Sequence, residues 1–114
     1  MNDGSIGRTI TTLGTVTILI TGTTSDAIDL NGRRLKAIIT PAALTGTAIS
    51  FQVSADGGKT FNPLHKEDGS AYSITVAASR ATHVNPDLLA PYNNVKLVSG
   101  SAEAAERILT IIGE

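Results

Sequence analysis

The chain has 114 residues, a formal net charge of −1 and no cysteine, and its length predicts one compact domain. The lack of cysteine excludes disulfide frameworks, thiolate metal sites and cysteine nucleophiles. A net charge near zero means that the chain has no excess of basic residues of the kind that binds nucleic acid. Hydrophobic residues make up 41% of the chain, which argues against disorder. Apolar runs are short and the first residues lack the regions of a secretory signal, so we expect no transmembrane segment and no signal peptide.

The residue choice favours β-strands. Fifteen threonines accompany many Ile, Val and Leu residues, and β-branched side chains fit a pleated surface. Residues 1–8 carry two glycines and little that could be buried. They predict a flexible N-terminal arm, followed by a single domain over residues 9–114.

The first predicted strand lies within residues 15–21. Val16, Ile18 and Ile20 alternate with threonines, a period of two that places one apolar face toward a core. Gly14 interrupts the run on its N-terminal side and predicts a bulge or a turn.

A short apolar alternation at 27–30 leads into a tight turn and a second long strand. Asn31-Gly32 predicts the turn because both residues tolerate a positive φ. In the strand over 34–40, the alternation predicts that Leu35, Ala37 and Ile39 face inward.

The middle of the chain predicts a hairpin, because two apolar alternations flank a glycine-rich turn. The turn fits the Asp-box pattern S-x-D-x-G-x-T-F, in which the carboxylate accepts backbone N–H bonds and the glycine takes a positive φ. Families that carry this box use it for structure, so we expect a structural turn and no catalytic site. Its residues are Ser54, Asp56, Gly58, Thr60 and Phe61.

The second half of the chain predicts four more short strands, at 72–76, 81–84, 95–97 and 107–112. Residues 85–91 predict a turn or one helical turn, with Pro86 at its beginning. Residues 100–106 predict a loop or a short helix.

The last predicted strand has apolar groups on both faces. Such a strand is either central in a sheet or covered by a partner chain. We therefore expect a homo-oligomer, with a trimer as the favoured state, in which this strand or the N-terminal arm lies near a contact. The candidate contact residues are Ile108, Leu109, Ile111 and Ile112.

About eight short strands separated by turn signals predict an all-β fold with little helix. An antiparallel β-sandwich, of jelly-roll or immunoglobulin-like type, is favoured over a small barrel. No predicted helix is long enough for the crossovers of a parallel sheet.

Catalytic and metal-binding patterns are weak. His65 and His83 have no further ligands at metal-site spacing, and neither a nucleophile elbow nor a complete phosphate loop occurs. Paired acidic residues, including Glu103 and Glu106, fall in predicted loops, where we expect them to be solvated. Aromatic residues make up only 4% of the chain, so stacking platforms for glycans or single-stranded nucleic acid are scarce. We therefore expect no enzymatic activity, no cofactor and no metal.

Residues 41–64 and the following stretch S-I-T-V-A-A-S-R at 73–80 resemble small β-sandwich virion proteins encoded by tailed bacteriophages. The segments 29–35 and 89–92 fit the same pattern, so the resemblance covers residues 28–112. It implies a non-enzymatic capsid decoration (cement) protein without catalytic residues, made in the host cytoplasm and located in the virion. Its implied partners are the major capsid protein or other virion proteins. A head–tail or tail accessory protein and a small carbohydrate-binding β-sandwich module remain alternatives.

Overall fold

The computed structural model describes residues 11–114, which form nine strands in two antiparallel sheets packed together. The predicted all-β sandwich is therefore confirmed. The predicted arm, residues 1–8, lies outside the described residues. The elements are β1 (Thr11–Ile18), β2 (Ile28–Asp29), β3 (Leu35–Ile39), β4 (Ala48–Ser54), β5 (Asn62–Pro63), β6 (Ser73–Thr75), β7 (Ala81–His83), α1 (Pro86–Leu89), β8 (Asn94–Ser99) and β9 (Arg107–Gly113).

The two sheets combine strands that are distant in the chain. One sheet, the front sheet, has the order β1-β9-β3-β7, and the other, the back sheet, has the order β2-β8-β4-β5 with β6 also paired to β4. β9 lies between β1 and β3. The last strand is thus central, one of the two positions that its apolar residues predict.

The core lies between the sheets and consists of alternate side chains from the long strands. Leu109 and Ile111 of β9 are fully buried on one side, and Phe51 of β4 is buried on the other. Phe51 stacks on Tyr72 with ring centroids 5.3 Å apart. Burying one such side chain stabilises the fold by about 1.5–3 kcal/mol. A slip of one residue would expose the whole inner row, so burial fixes the register.

A bulge in β3 shows that the predicted inner face of this strand is partly wrong. The pairing of β3 with β9 shifts between Leu35 and Ala37, and the extra residue puts Leu35 and Ile38 on the same inner face, where both are buried. Ala37 and Ile39, both predicted to face inward, instead lie on the outer side, where Ala37 is half-buried and Ile39 is 41% exposed. The bulge predicted at Gly14 of β1 is confirmed by a register shift between Thr12 and Gly14.

β1 ends earlier than its alternation predicts. Val16 and Ile18 are buried as expected, but Ile20 is 60% exposed. The chain leaves the sheet because a tight turn begins at Leu19, whose carbonyl accepts a hydrogen bond of 2.9 Å from the N–H of Gly22. The prediction that Ile20 faces inward is therefore wrong.

The predicted turns follow their residue chemistry. Asn31 and Gly32 take φ values of 56° and 79°, which confirms the tight turn between β2 and β3. The single helical turn α1 begins at Pro86, and the side chain of Asn85 caps it by accepting the N–H of Asp87. No helix within residues 11–114 is long and apolar enough to cross a membrane.

Candidate functional site

The Asp-box residues form the turn between β4 and β5. Oδ1 of Asp56 accepts the N–H groups of Lys59 and Thr60 at 3.1 and 2.9 Å, and the hydroxyl of Ser54 at 2.7 Å. Oγ of Ser54 in turn accepts the N–H of Gly58 at 2.9 Å. Gly58 has a φ of 94°, a backbone conformation that residues with a Cβ rarely adopt.

These bonds keep the Asp56 carboxylate ionised. The Ser54 hydroxyl, followed by the backbone N–H of Thr60, lowers the pKa of Asp56 to about 2. Phe61, just before β5, is half-buried and lies under the Lys96 ammonium, which is 4.5 Å from the ring centroid. The box residues are thus engaged with one another and with β8, and a carboxylate of this kind holds no proton to donate near neutral pH.

A buried carboxylate lies where the sequence predicts a solvated loop. Glu103 is 1% exposed, so the prediction for this residue is wrong. Its Oε1 accepts the N–H of Thr45 at 2.8 Å and Nε–H of Arg107 at 2.9 Å. Its Oε2 accepts the N–H of Gly46 at 2.9 Å and the hydroxyl of Ser99 at 2.7 Å. We call these five residues the Glu103 cluster.

The Glu103 cluster is structural because its hydrogen bonds are satisfied within the protein. Burial raises the pKa of Glu103, but the bonds from Ser99, Thr45, Arg107 and Gly46 outweigh it and lower the pKa to about 2. A Cβ on Gly46 would lie 2.1 Å from Oγ of Ser99, so only glycine fits there. The carboxylate therefore connects the β3–β4 loop to the β8–β9 loop and offers no free lone pair to a substrate.

No local sequence signal distinguishes Glu103 from its exposed neighbour Glu106. The backbone donors that hold Glu103 come from Thr45 and Gly46, 58 and 57 residues away in the chain. Only the folded arrangement of the loops identifies the buried carboxylate.

Within residues 11–114, no three His, Asp or Glu side chains converge in a group that could hold a metal ion. His65 and His83 are both exposed; His83 lies on β7 of the front sheet, and His65 follows β5 in an isolated bridge with Ala71.

The exposed large hydrophobic side chains lie on the front sheet and in the turn that follows β1. Among the described residues they are Leu19, Ile20, Ile39 and Ile108, with exposures of 63%, 60%, 41% and 51%. Ile108 and Ile39 lie on β9 and β3 and alternate with buried neighbours, so both side chains face outward. Leu19 and Ile20 lie in the turn that follows β1.

Threonines and aliphatic residues cover the outer face of the front sheet in paired rows. Thr110 of β9 pairs with Thr15 and Ile39, and Ile108 pairs with Thr17. The outward pairs of β1, β9 and β3 contain no charged side chain, and Lys36, in the bulge beside Ala37, is paired with Glu114 at 2.9 Å. We call this surface the front face; its residues are Thr12, Thr15, Thr17, Ala37, Ile39, Ile108, Thr110 and Ile112.

The structure divides the four candidate contact residues between two sides of β9. Leu109 and Ile111 are fully buried in the core of the single chain. Ile108 is exposed and Ile112 is half-buried on the front face. Only the outward pair is positioned to touch another protein, and the homo-oligomer stays a prediction.

The aromatic side chains leave little for a stacking platform. Phe51 and Tyr72 stack on each other in the core, and Tyr92 packs against the core from a partly buried position. The ring of Phe61 carries Lys96 on one face. Glycan sites use open aromatic faces, so this arrangement favours other kinds of ligand.

Fold and surface together define a small antiparallel β-sandwich with one uncharged outer face. Comparisons with known proteins find no family model that the sequence matches, no similar curated protein and no similar solved structure. The resemblance to phage virion proteins therefore stays a prediction.

Proposed function

We propose that the protein is a non-enzymatic structural protein of a bacteriophage particle, a decoration protein that binds the outside of the capsid and reinforces it. The observation that carries this proposal is the front face, an uncharged surface with exposed aliphatic side chains. The sequence resemblance to small virion proteins supports the choice of partner.

The composition of the front face resembles that of a protein interface. Charged residues are depleted at the centre of protein–protein interfaces, and apolar patches on a soluble protein mark contact sites. Ile39 and Ile108 are exposed on the front face, while Lys36, at the bulge of β3, is neutralised by an ion pair with Glu114 that is 2.9 Å long. A partner that covers this face buries little charge.

Reinforcement follows from mass action. A protein that binds only the assembled capsid stabilises the assembled state in proportion to the logarithm of its concentration over its dissociation constant. This task needs surface and stability rather than a pocket, and the two β-sheets with their shared core provide both.

Two other functions can be compared with capsid decoration. A head–tail or tail accessory protein would use the same face against a different virion protein. A carbohydrate-binding module is less consistent with the structure, because the four aromatic rings are buried or half-covered.

The test is the abundance and effect of the protein in purified virions. We expect a copy number that matches the repeating units of the capsid, and we expect particles without the protein to release DNA at a lower temperature than complete ones. A copy number as low as that of a tail component would move the protein to the tail or the head–tail junction. Absence from purified virions would contradict the proposal and favour the glycan-binding module.

A further inference from the structure

Asn31, in the turn between β2 and β3, is the one asparagine of the chain that precedes a glycine. In such a pair, the backbone nitrogen of the glycine can attack Cγ of the asparagine side chain. Glycine permits this approach because it has no Cβ to obstruct it and its backbone is conformationally free. The other asparagines precede residues with a Cβ; they are Asn2, Asn62, Asn85, Asn93 and Asn94. The sequence thus contains one pair that is suited to this reaction, Asn31 and Gly32.

The surroundings of this pair leave space for a ring to form and for water to reach it. Asn31 and Gly32 are both exposed, and both lie in the turn, outside β2 and β3. Among residues 11–114, no atom beyond the chain neighbours of Gly32 lies within 4 Å of the position that a Cβ on this glycine would take. The reacting groups are therefore accessible to solvent in the folded protein.

A hydrogen bond to Asn93 holds the nitrogen that has to react. Asn93 directly precedes β8, and its Oδ1 accepts the N–H of Gly32 at 2.9 Å. The backbone carbonyl of Asn93 accepts the N–H of Leu30 at 2.6 Å, on the other side of Asn31. The Gly32 N–H has to leave Oδ1 of Asn93 before its nitrogen can attack, so this hydrogen bond slows the reaction.

We propose that Asn31 and Gly32 form a site of spontaneous deamidation through a succinimide, and that the Asn93 side chain controls the rate. The Gly32 nitrogen forms a bond to Cγ of Asn31. Its proton passes through water to Nδ2, which leaves as ammonia when the bond from Cγ to Nδ2 breaks. Water then opens the ring at either carbonyl carbon and yields aspartate or isoaspartate at position 31. The reaction consumes only water and is independent of the proposed function.

Two aspartate–glycine pairs within the described residues serve as internal controls. Asp56–Gly57 and Asp68–Gly69 also lie in exposed turns. Hydrogen bonds from nearby serine hydroxyls lower the pKa of both carboxyl groups, so both are ionised near neutral pH. An ionised carboxylate resists the attack because its oxygen is a poor leaving group. The amide of Asn31 is therefore the more reactive centre.

The modification changes a turn that connects the two sheets. The N–H of Asn31 donates to the Asp29 carboxylate at 2.8 Å, so a new carboxylate at position 31 places like charges close together. Isoaspartate also lengthens the main chain, which displaces the bond from the Leu30 N–H to the Asn93 carbonyl. β2 has two residues and lies at the edge of the back sheet. We therefore expect the modified protein to hold β2 less tightly against β8.

The first test measures ammonia loss during incubation of the folded protein in mildly alkaline buffer, by peptide mapping with mass spectrometry. We expect succinimide and isoaspartate to accumulate at position 31 before any other position. Asn93→Ala should react about two- to tenfold faster than wild type, the factor that the loss of one hydrogen bond produces. Asn93→Asp keeps an oxygen acceptor for the Gly32 N–H and should react no faster than wild type. In guanidinium chloride, Asn93→Ala and wild type should react at the same rate, because the hydrogen bond is absent.

Each part of the proposal can be contradicted separately. Accumulation at Asp56 or Asp68 before position 31 would overturn the choice of site. A folded wild-type protein that stays unmodified while the denatured chain is converted would show that the fold blocks the reaction. If position 31 reacts but folded Asn93→Ala reacts at the wild-type rate, control by Asn93 is wrong.

The second test compares amide hydrogen exchange in fresh and incubated protein. We expect faster exchange at the Leu30 amide in the modified fraction, while the amide of Leu109 in the core stays protected. The control variant is Asn31→Gly, which suits a positive φ and has no side-chain amide to lose. Its Leu30 amide should exchange equally before and after incubation. Unchanged exchange at Leu30 in modified wild type would contradict the weakened attachment of β2.

Discussion

The outer faces of the two sheets differ in residue composition, although buried and outward residues alternate in both sheets. In both sheets, alternate residues are buried in one shared core. On the outer face of the back sheet, Gln52 pairs with Lys96 and Ser50 with Val98, a mixed polar surface. On the front face, Ile39 and Ile108 stand among threonines without a charge. Folding explains the inner rows but not this difference, which the proposed binding through the front face would account for.

The β1 edge of the front sheet is protected while the face of the sheet is open. Near the end of β1, the Asp26 carboxylate accepts the N–H of Thr17 at 2.7 Å, and the N–H of Asp26 donates to the Thr17 carbonyl at 3.2 Å. The bulge at Gly14 distorts the same edge. Both features hinder pairing with a strand of another chain. Contacts through the face are therefore favoured over contacts through the β1 edge.

The largest expected effect is on the free energy of unfolding and distinguishes Leu109 from its neighbour Ile108 on β9. Leu109→Ala removes a fully buried side chain and should lower the free energy of unfolding by about 2–5 kcal/mol. Ile108→Ala, one residue away on the front face, should change it by less than about 0.5 kcal/mol. Urea denaturation measures both. Equal losses would mean that the outer face also supports the fold.

The next effect compares two glutamates of one loop. Glu103→Ala leaves the buried donors of its cluster without an acceptor and should destabilise the protein by about 3 kcal/mol. Glu106, exposed in the same loop, is the matched control, and Glu106→Ala should be nearly neutral. The same denaturation experiment gives both values, and similar values for the two variants would contradict the structural role of the Glu103 cluster.

The pH dependence of stability follows from the same carboxylate. The pKa of Glu103 is lowered from 4.5 to about 2 in the folded state. A lowered folded pKa contributes stability above the unfolded pKa, and this contribution is lost as pH falls toward the folded pKa. Wild-type protein should therefore lose about 3 kcal/mol between about pH 5 and pH 2 from this group. Thermal denaturation between these pH values should show that the stability of Glu103→Ala depends on pH clearly less than the stability of wild type does. An equal pH dependence in the two proteins would mean that other groups cause the acid sensitivity.

The smallest effect tests the Asp-box turn as a structural feature of the back sheet. Gly58→Ala places a Cβ on a residue with a φ of 94° and should cost about 1 kcal/mol. The nearest side-chain atoms, from Asn94, lie 3.5 Å from that Cβ, so crowding adds little. Particle binding at a temperature where the variant is folded should equal that of wild type, and a loss would show that the turn contacts the partner.

Local signals in the sequence predict much of the fold. The alternation of Ile49, Phe51 and Val53 and the chemistry of the turn at 56–58 involve residues close in the chain, and both appear as predicted in β4 and its hairpin. The apolar residues on both sides of β9 predict a central strand, but they do not show which side faces the core.

Features that depend on contacts between residues far apart in the chain could not be predicted from local sequence patterns. The bulge that turns Ile39 outward arises from the pairing of β3 with β9. Ile20 is exposed because the turn after β1 is bonded to the loop that contains Glu103. Burial of Glu103 itself depends on loops that are brought together only by the packing of the two sheets.

The most direct measurement is co-sedimentation of charge variants of the two faces with particles that lack the protein. Ile108→Asp places a carboxylate on the front face, and Val98→Asp places one on the outer face of the back sheet. Burying an unpaired charge in an interface is strongly unfavourable. We predict that Ile108→Asp, folded by circular dichroism, abolishes co-sedimentation and that Val98→Asp leaves it unchanged. Loss with Val98→Asp and retention with Ile108→Asp would contradict the assignment of the front face.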